Sequence, residues 1–136
     1  QFNQPIGDWD VSSVKFMNDM FSGSQFNQPI GDWDVSNVTN MNSMFYESQF
    51  NHPIGDWNVS NVTDMRGMFS SSQFNKPIRN WNAVKVSQME EMFASSLFNQ
   101  DISTWCVKNI PSEPFNFSKN SPLKDENKPK WGTCPD

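Results

Sequence analysis

The chain has 136 residues, a length that suits one domain, and only 35% of them are hydrophobic. A net charge of -5 leaves no basic surface to neutralise phosphates, which argues against nucleic acid as a partner. No apolar run is long enough to cross a membrane as a helix, which argues against insertion, and no signal peptide is visible. The chain starts inside a repeat, so it reads as a mature fragment or the end of a longer array, and the missing signal leaves secretion open.

Low hydrophobicity would suit disorder, but here the apolar residues recur at fixed positions. The stretch FNQPIGDWDVSSVKFM (Phe2 to Met17) returns as FNQPIGDWDVSNVTNM (Phe26 to Met41) and as FNHPIGDWNVSNVTDM (Phe50 to Met65). A weaker copy, FNKPIRNWNAVKVSQM, runs from Phe74 to Met89, and FNQDISTWCVKNI opens a fifth at Phe98. A constant period of 24 residues without insertions is the mark of stacked repeats. One such unit cannot bury its own apolar face, whereas neighbours can bury each other's.

The second copy shows the expected coil. Ile30 leads into a Gly31-Asp32 bend, and Trp33-Asp34-Val35-Ser36 alternates apolar and polar residues, as a half-buried strand does. Met41, Met44 and Phe45 have the i, i+3, i+4 spacing of one helix face, with Ser36 or Thr39 as the N-cap. Gln49-Phe50-Asn51 then leads into the next coil. The predicted fold is an α/β repeat solenoid, leucine-rich-repeat-like, with one short strand and one short helix per 24-residue coil. Residues 1–110 would hold four full repeats and a partial fifth, and 111–136 an irregular cap. Ile30, Trp33, Val35, Val38, Met41, Met44, Phe45 and Phe50 should point inward. Asn3, Asn27, Asn51, Asn75 and Asn99 form an unbroken column, read as a buried hydrogen-bonded ladder.

Chemistry is sparse. His52 is the one histidine, in a column otherwise filled by Gln4, Gln28, Lys76 and Gln100, which reads as a variable surface position. No phosphate loop, nucleophile elbow or zinc-protease motif is present, so an enzyme is not expected. Cys106 and Cys134 read as a disulfide that staples the cap, with two unrelated buried thiols as the alternative. A disulfide would imply an oxidising compartment. Asn37, Asn58, Asn61 and Asn116 lie in N-x-S/T sequons and are glycosylation candidates. Asp8, Asp32 and Asp56 form one acidic column, and Asp10 and Asp34, continued by Asn58, form another. Stacked carboxylates repel, which leaves three readings: bonds within the turns, a partner surface, or Ca2+ held by Asp8, Asp10, Asp32, Asp34 and Asp56. Ca2+ is the one cofactor the sequence admits. The strand face, with Asp10, Ser12, Asp34, Ser36, Asn58 and Ser60, is the expected binding face.

The recurring pattern F-N-x-P-I-x-x-W-x-V-S-x-V-x-x-M-x-x-M-F resembles the BspA-like leucine-rich-repeat surface proteins, and PKWGTCP at Pro129–Pro135 resembles an ending of such arrays. Repeat four departs from it at Arg79, Asn80, Ala83 and Val84, and repeat five lacks the Met-x-x-Met-Phe segment. The resemblance implies a secreted or cell-surface protein, extracellular in location, that adheres to protein or glycan and catalyses nothing. The competing expectation is a structural rod or filament subunit that assembles with its own copies, end-to-end or side-by-side.

Overall fold

The computed structural model describes residues 2–135. Successive 24-residue repeats stack in register, but each coil is built from turns. Among the described residues there is no α-helix and no strand. The regular elements are a single 3-10 turn, Asp125–Asn127, and three isolated parallel bridges, Phe16 to Asn40, Asn40 to Asp64, and Asp64 to Gln88. The expected α/β solenoid is therefore corrected: the Met41–Phe45 segment is not a helix, and Trp33–Ser36 is not a strand.

The reason lies in where the backbone N–H groups go. From Met41 onward they alternate. Met41, Ser43, Phe45 and Glu47 donate to the next coil, to the carbonyls of Asp64, Arg66, Met68 and Ser70, at 2.9–3.0 Å. Between them, Met44, Tyr46 and Ser48 donate to Met41, Ser43 and Phe45 of their own coil, three residues back. This is a run of overlapping β-turns, each locked to the neighbouring coil. An α-helix would send every one of these donors four residues back. The i, i+3, i+4 apolar spacing fits both arrangements, because a β-turn also spans three residues.

The turn run requires left-handed backbone at two positions per coil. Ser43 (φ 56°) and Glu47 (φ 54°) recur as Asp19 and Gly23, as Gly67 and Ser71, and as Glu91 and Ser95. A positive φ at the third residue of a turn is the type II signature, and it breaks helical geometry. These positions carry small or polar residues. Asn116 (φ 50°) and Asn120 (φ 62°) keep the same spacing of four, and the carbonyls of Phe115, Phe117 and Lys119 accept from Glu91, Phe93 and Ser95. The turn run thus continues past Ile110 into the segment expected to be an irregular cap.

Trp33 and Val35 are buried with Asp34 exposed between them, so the alternation does report which side chains face the core. Here, however, the backbone closes tight turns, with Trp33 N–H to Ile30 and Val38 N–H to Val35. All eight residues expected to face inward are buried. Equivalent rings stack along the array. The Phe45, Phe69 and Phe93 rings are 5.5–5.7 Å apart, and Phe50, Phe74 and Phe98 are 6.3 Å apart. Trp57, Trp81 and Trp105 follow at 6.2–6.4 Å. The rings are therefore closer together in the Phe45 stack than in the Phe50 and tryptophan stacks. Each of Trp33, Trp57, Trp81 and Trp105 donates its indole N–H to the carbonyl of an isoleucine 27 residues earlier, at 3.0–3.1 Å. Gly31 and Gly55 allow this edge to close up, since a Cβ on either would sit 2.9 Å from the Pro53 or Pro77 carbonyl oxygen.

Residues 122–135 fold over the last coil. Asn127 and Thr133 carbonyls accept from Ile102 and Val107. Lys128 pairs with Glu113 and Asp125. Phe117 and Leu123 are buried, and Trp131 packs edge-on against Phe117. Cys106 and Cys134 form a disulfide across 28 residues, worth about 3–4 kcal/mol on the loop-entropy scale. Reduction is expected to lower the melting temperature, measured with and without a thiol reductant; no shift would mean that the staple adds nothing.

Trp57→Ala should cost about 3–5 kcal/mol in urea unfolding, because it opens a cavity and removes one of the two bonds to the Ile30 carbonyl. Asn51→Ala should cost about 1 kcal/mol, because the bond it loses is half-exposed. Equal losses in the two variants would contradict this division between buried and exposed edges.

Candidate functional site

The asparagine column forms a ladder. The Oδ1 atoms of Asn3, Asn27, Asn51 and Asn75 accept the backbone N–H of Asn27, Asn51, Asn75 and Asn99 at 2.8–3.0 Å. It lies at the surface, half-exposed to exposed, where the sequence reading placed it in the core. His52 sits beside it, with Nε2 3.0 Å from the Asn27 carbonyl oxygen.

The expected binding face is largely occupied with itself. Asp10 Oδ1 accepts both the N–H and the hydroxyl of Ser12, and Asp34 does the same with Ser36. Asn58 accepts the Ser60 N–H at 3.0 Å. These are Asx turns. The bonds from Ser12 and Ser36 hold the Asp10 and Asp34 carboxyls below the usual carboxylate range. Asp8, Asp32 and Asp56 stand exposed on the neighbouring bend. Asp32 and Asp56 border one shallow hollow with Gly31, Pro53, Gly55 and Pro77, and Asp8 borders the hollow before it. Among the described residues, no three acidic, histidine or cysteine side chains gather into a group fit for a metal ion, and the Ca2+ candidates are not brought together in that way.

The glycosylation candidates divide. Asn37 and Asn61 donate their side-chain amides to the Ser12 and Ser36 carbonyls, both at 2.7 Å. Asn58 is exposed, and Asn116 is half-buried in the fifth turn run.

A different face is set apart by variation within the chain. The tryptophan edge keeps its isoleucine and tryptophan in every coil, and its Gly-Asp bend in the first three. On the turn run, by contrast, one column reads Phe16, Asn40, Asp64, Gln88, the next reads Asn18, Asn42, Arg66, Glu90, and another reads Ser22, Tyr46, Ser70, Ala94, with Asp64, Ser70 and Ala94 buried. Where these columns reach the surface, neighbouring positions differ. The centre of this face is a polar network. The Arg66 guanidinium forks onto Asp64 at 3.1 and 2.9 Å, Asp64 also accepts the Arg66 N–H at 3.0 Å, and Asn42 reaches it from the preceding coil at 3.4 Å. Burial of Asp64, whose side chain is 10% exposed, pushes its carboxyl up. The bonds and charge of Arg66, with Asn42, outweigh burial, and the net position is below the usual carboxylate range. A hollow beside this pair is lined by Asn42, Ser43, Arg66, Gly67, Glu90 and Glu91. Tyr46 stands 38% exposed nearby, and the charge and hydrogen bond of Glu47, with a smaller effect from Glu91, hold its phenol above the ordinary range. The sequence reading missed this group because it followed the residues that repeat. The signal was the columns that do not.

The sequence model of one family, described as Mycoplasma protein of unknown function, DUF285, matches residues 1–70 and, in a second match, residues 25–131. The chain belongs to the DUF285 family. The two matches begin one repeat apart, so the DUF285 pattern follows the coils. No curated protein and no solved structure matches the chain. No helix among the described residues is long and apolar enough to cross a membrane.

The Asp64–Arg66 pair sets a pH dependence. A carboxyl lowered in the folded state stabilises it above the unfolded pKa of about 3.9, and that stability is lost as pH falls through the folded value. Arg66→Ala should therefore lower stability at neutral pH by about 1 kcal/mol, limited by the exposure of the guanidinium. Melting curves of the variant and the parent should converge in acid, below about pH 4; a gap that stays constant with pH would contradict the pairing.

Proposed function

We propose that the protein is an extracellular, surface-displayed module that recognises another protein or a glycan without catalysis. The observation that carries this reading is that ladder and stack residues recur in every coil while the turn run changes from coil to coil. Asn42, Arg66, Glu90 and Glu91 line one hollow there, and Tyr46 is exposed on the same run. Exposed tyrosine and arginine on a rigid support are the residue types that anchor interfaces. The disulfide supports an oxidising location, and the likeness to BspA-like surface proteins supports adhesion. A structural rod assembling with its own copies is the second reading, favoured by the near-identical coils and the continuous ladder.

Beads carrying the protein should capture at least one member of a panel of cultured cells, matrix proteins and glycans. The Tyr46→Ala, Glu91→Lys double variant should reduce capture about tenfold or more without a change in melting temperature. No capture, or equal capture by the variant, would overturn the recognition reading. Elongated assemblies in light scattering would favour the rod.

A further inference from the structure

Four sequons occur in the chain, and the fold treats them differently. At Asn37 and Asn61 both reacting parts are engaged. Their amide nitrogens bond the Ser12 and Ser36 carbonyls at 2.7 Å. The hydroxyls of their partners, Thr39 and Thr63, bond the Lys15 and Thr39 carbonyls at 3.3 and 3.2 Å. Asn61 also accepts Lys85 Nζ at 2.9 Å. Freeing either amide would break a contact between coils.

Asn116 lies at φ 50°, inside the turn run that caps the array. It lines a hollow with Glu113, Lys119 and Lys128, and the next residue, Phe117, is buried in the core. Its backbone is committed to a left-handed turn, and no Asx turn forms there.

Asn58 differs in its hydrogen bonds. It is exposed, as Asn37 is, and Ser60 is half-exposed, as Thr39 is. Its Oδ1 accepts the Ser60 N–H at 3.0 Å, which fixes the carboxamide plane in an Asx turn. Among the described residues, Asn58 Nδ2 and the Ser60 hydroxyl have no hydrogen-bond partner, unlike the Asp10–Ser12 and Asp34–Ser36 pairs beside them. Donation to Oδ1 draws electron density toward oxygen and makes an Nδ2 proton easier to lose.

We propose that Asn58 is the N-glycan acceptor of the folded protein, modified from a lipid-diphosphate-linked oligosaccharide. Nδ2 attacks C1 of the first sugar and loses one proton. The C1–oxygen bond to the diphosphate breaks, and the lipid diphosphate leaves with the bonding electron pair. No oxidant or reductant is needed. The glycan would stand on the tryptophan edge, clear of the variable turn-run face. Its use in a cell rests on the extracellular placement proposed above; transfer in vitro does not, so the two readings fail separately.

The folded protein is incubated with a purified oligosaccharyltransferase and its lipid-linked donor, next to an unstructured acceptor peptide, and the sites are mapped by peptide mass spectrometry. The expected result is a glycan on Asn58 alone, abolished in Asn58→Gln with an unchanged melting temperature. Occupancy of Asn37, Asn61 or Asn116 equal to that of Asn58 would overturn the proposal. So would modification of the control peptide with none on the folded protein.

Discussion

The structure depends on the alternation of backbone donors along the turn run. One N–H closes a turn in its own coil, and the following one bonds the next coil. Local and long-range bonds use different backbone groups there, so a segment without helix or strand still has most of its donors satisfied. The run tolerates residues such as Glu47 and Glu91 in left-handed backbone because inter-coil bonds hold those positions on both sides of the chain. The same bonds fix the coil spacing on that edge, and phenylalanine rings 5.5–5.7 Å apart fill the space behind it.

Two side-chain ladders do the equivalent work on the other edge. The indole N–H groups reach back 27 residues to the isoleucine carbonyls, and the asparagine amides reach across 24. Each ladder needs its residue in every coil, which is why the asparagine, isoleucine and tryptophan columns are unbroken. On the turn run, backbone makes most of the bonds between coils, and side chains can change without breaking those bonds. The chain thereby has columns that the stack requires and columns that it leaves free to vary.

This division explains what was legible in the sequence. The period, the inward residues from Ile30 to Phe50 and the laddering of the asparagines could be read, because each is a side-chain pattern repeated at one spacing; the burial expected of that ladder was wrong, since it runs along the surface. The absence of a helix could not be read from apolar spacing, since Met41, Met44 and Phe45 suit a turn run as well as a helix. A signal was present in the backbone-permissive positions, with Gly23 and Gly67 among them and Asn116 and Asn120 repeating the interval of four. Those two asparagines also mark the fifth turn run, which the loss of the Met-x-x-Met-Phe segment concealed. The Asp64–Arg66 pair was missed for a related reason: in a search for repeated columns, residues that occur once look like noise.

The central claim is the identity of the acceptors along the turn run, and NMR scalar couplings across hydrogen bonds report acceptors directly. Labelled protein should show couplings from the amides of Ser43, Phe45 and Glu47 to the carbonyls of Arg66, Met68 and Ser70 in the next coil. The amides of Tyr46 and Ser48 should couple to Ser43 and Phe45. Couplings from Phe45, Tyr46 and Glu47 to carbonyls four residues back would mean that the segment is a helix after all, and would contradict the account.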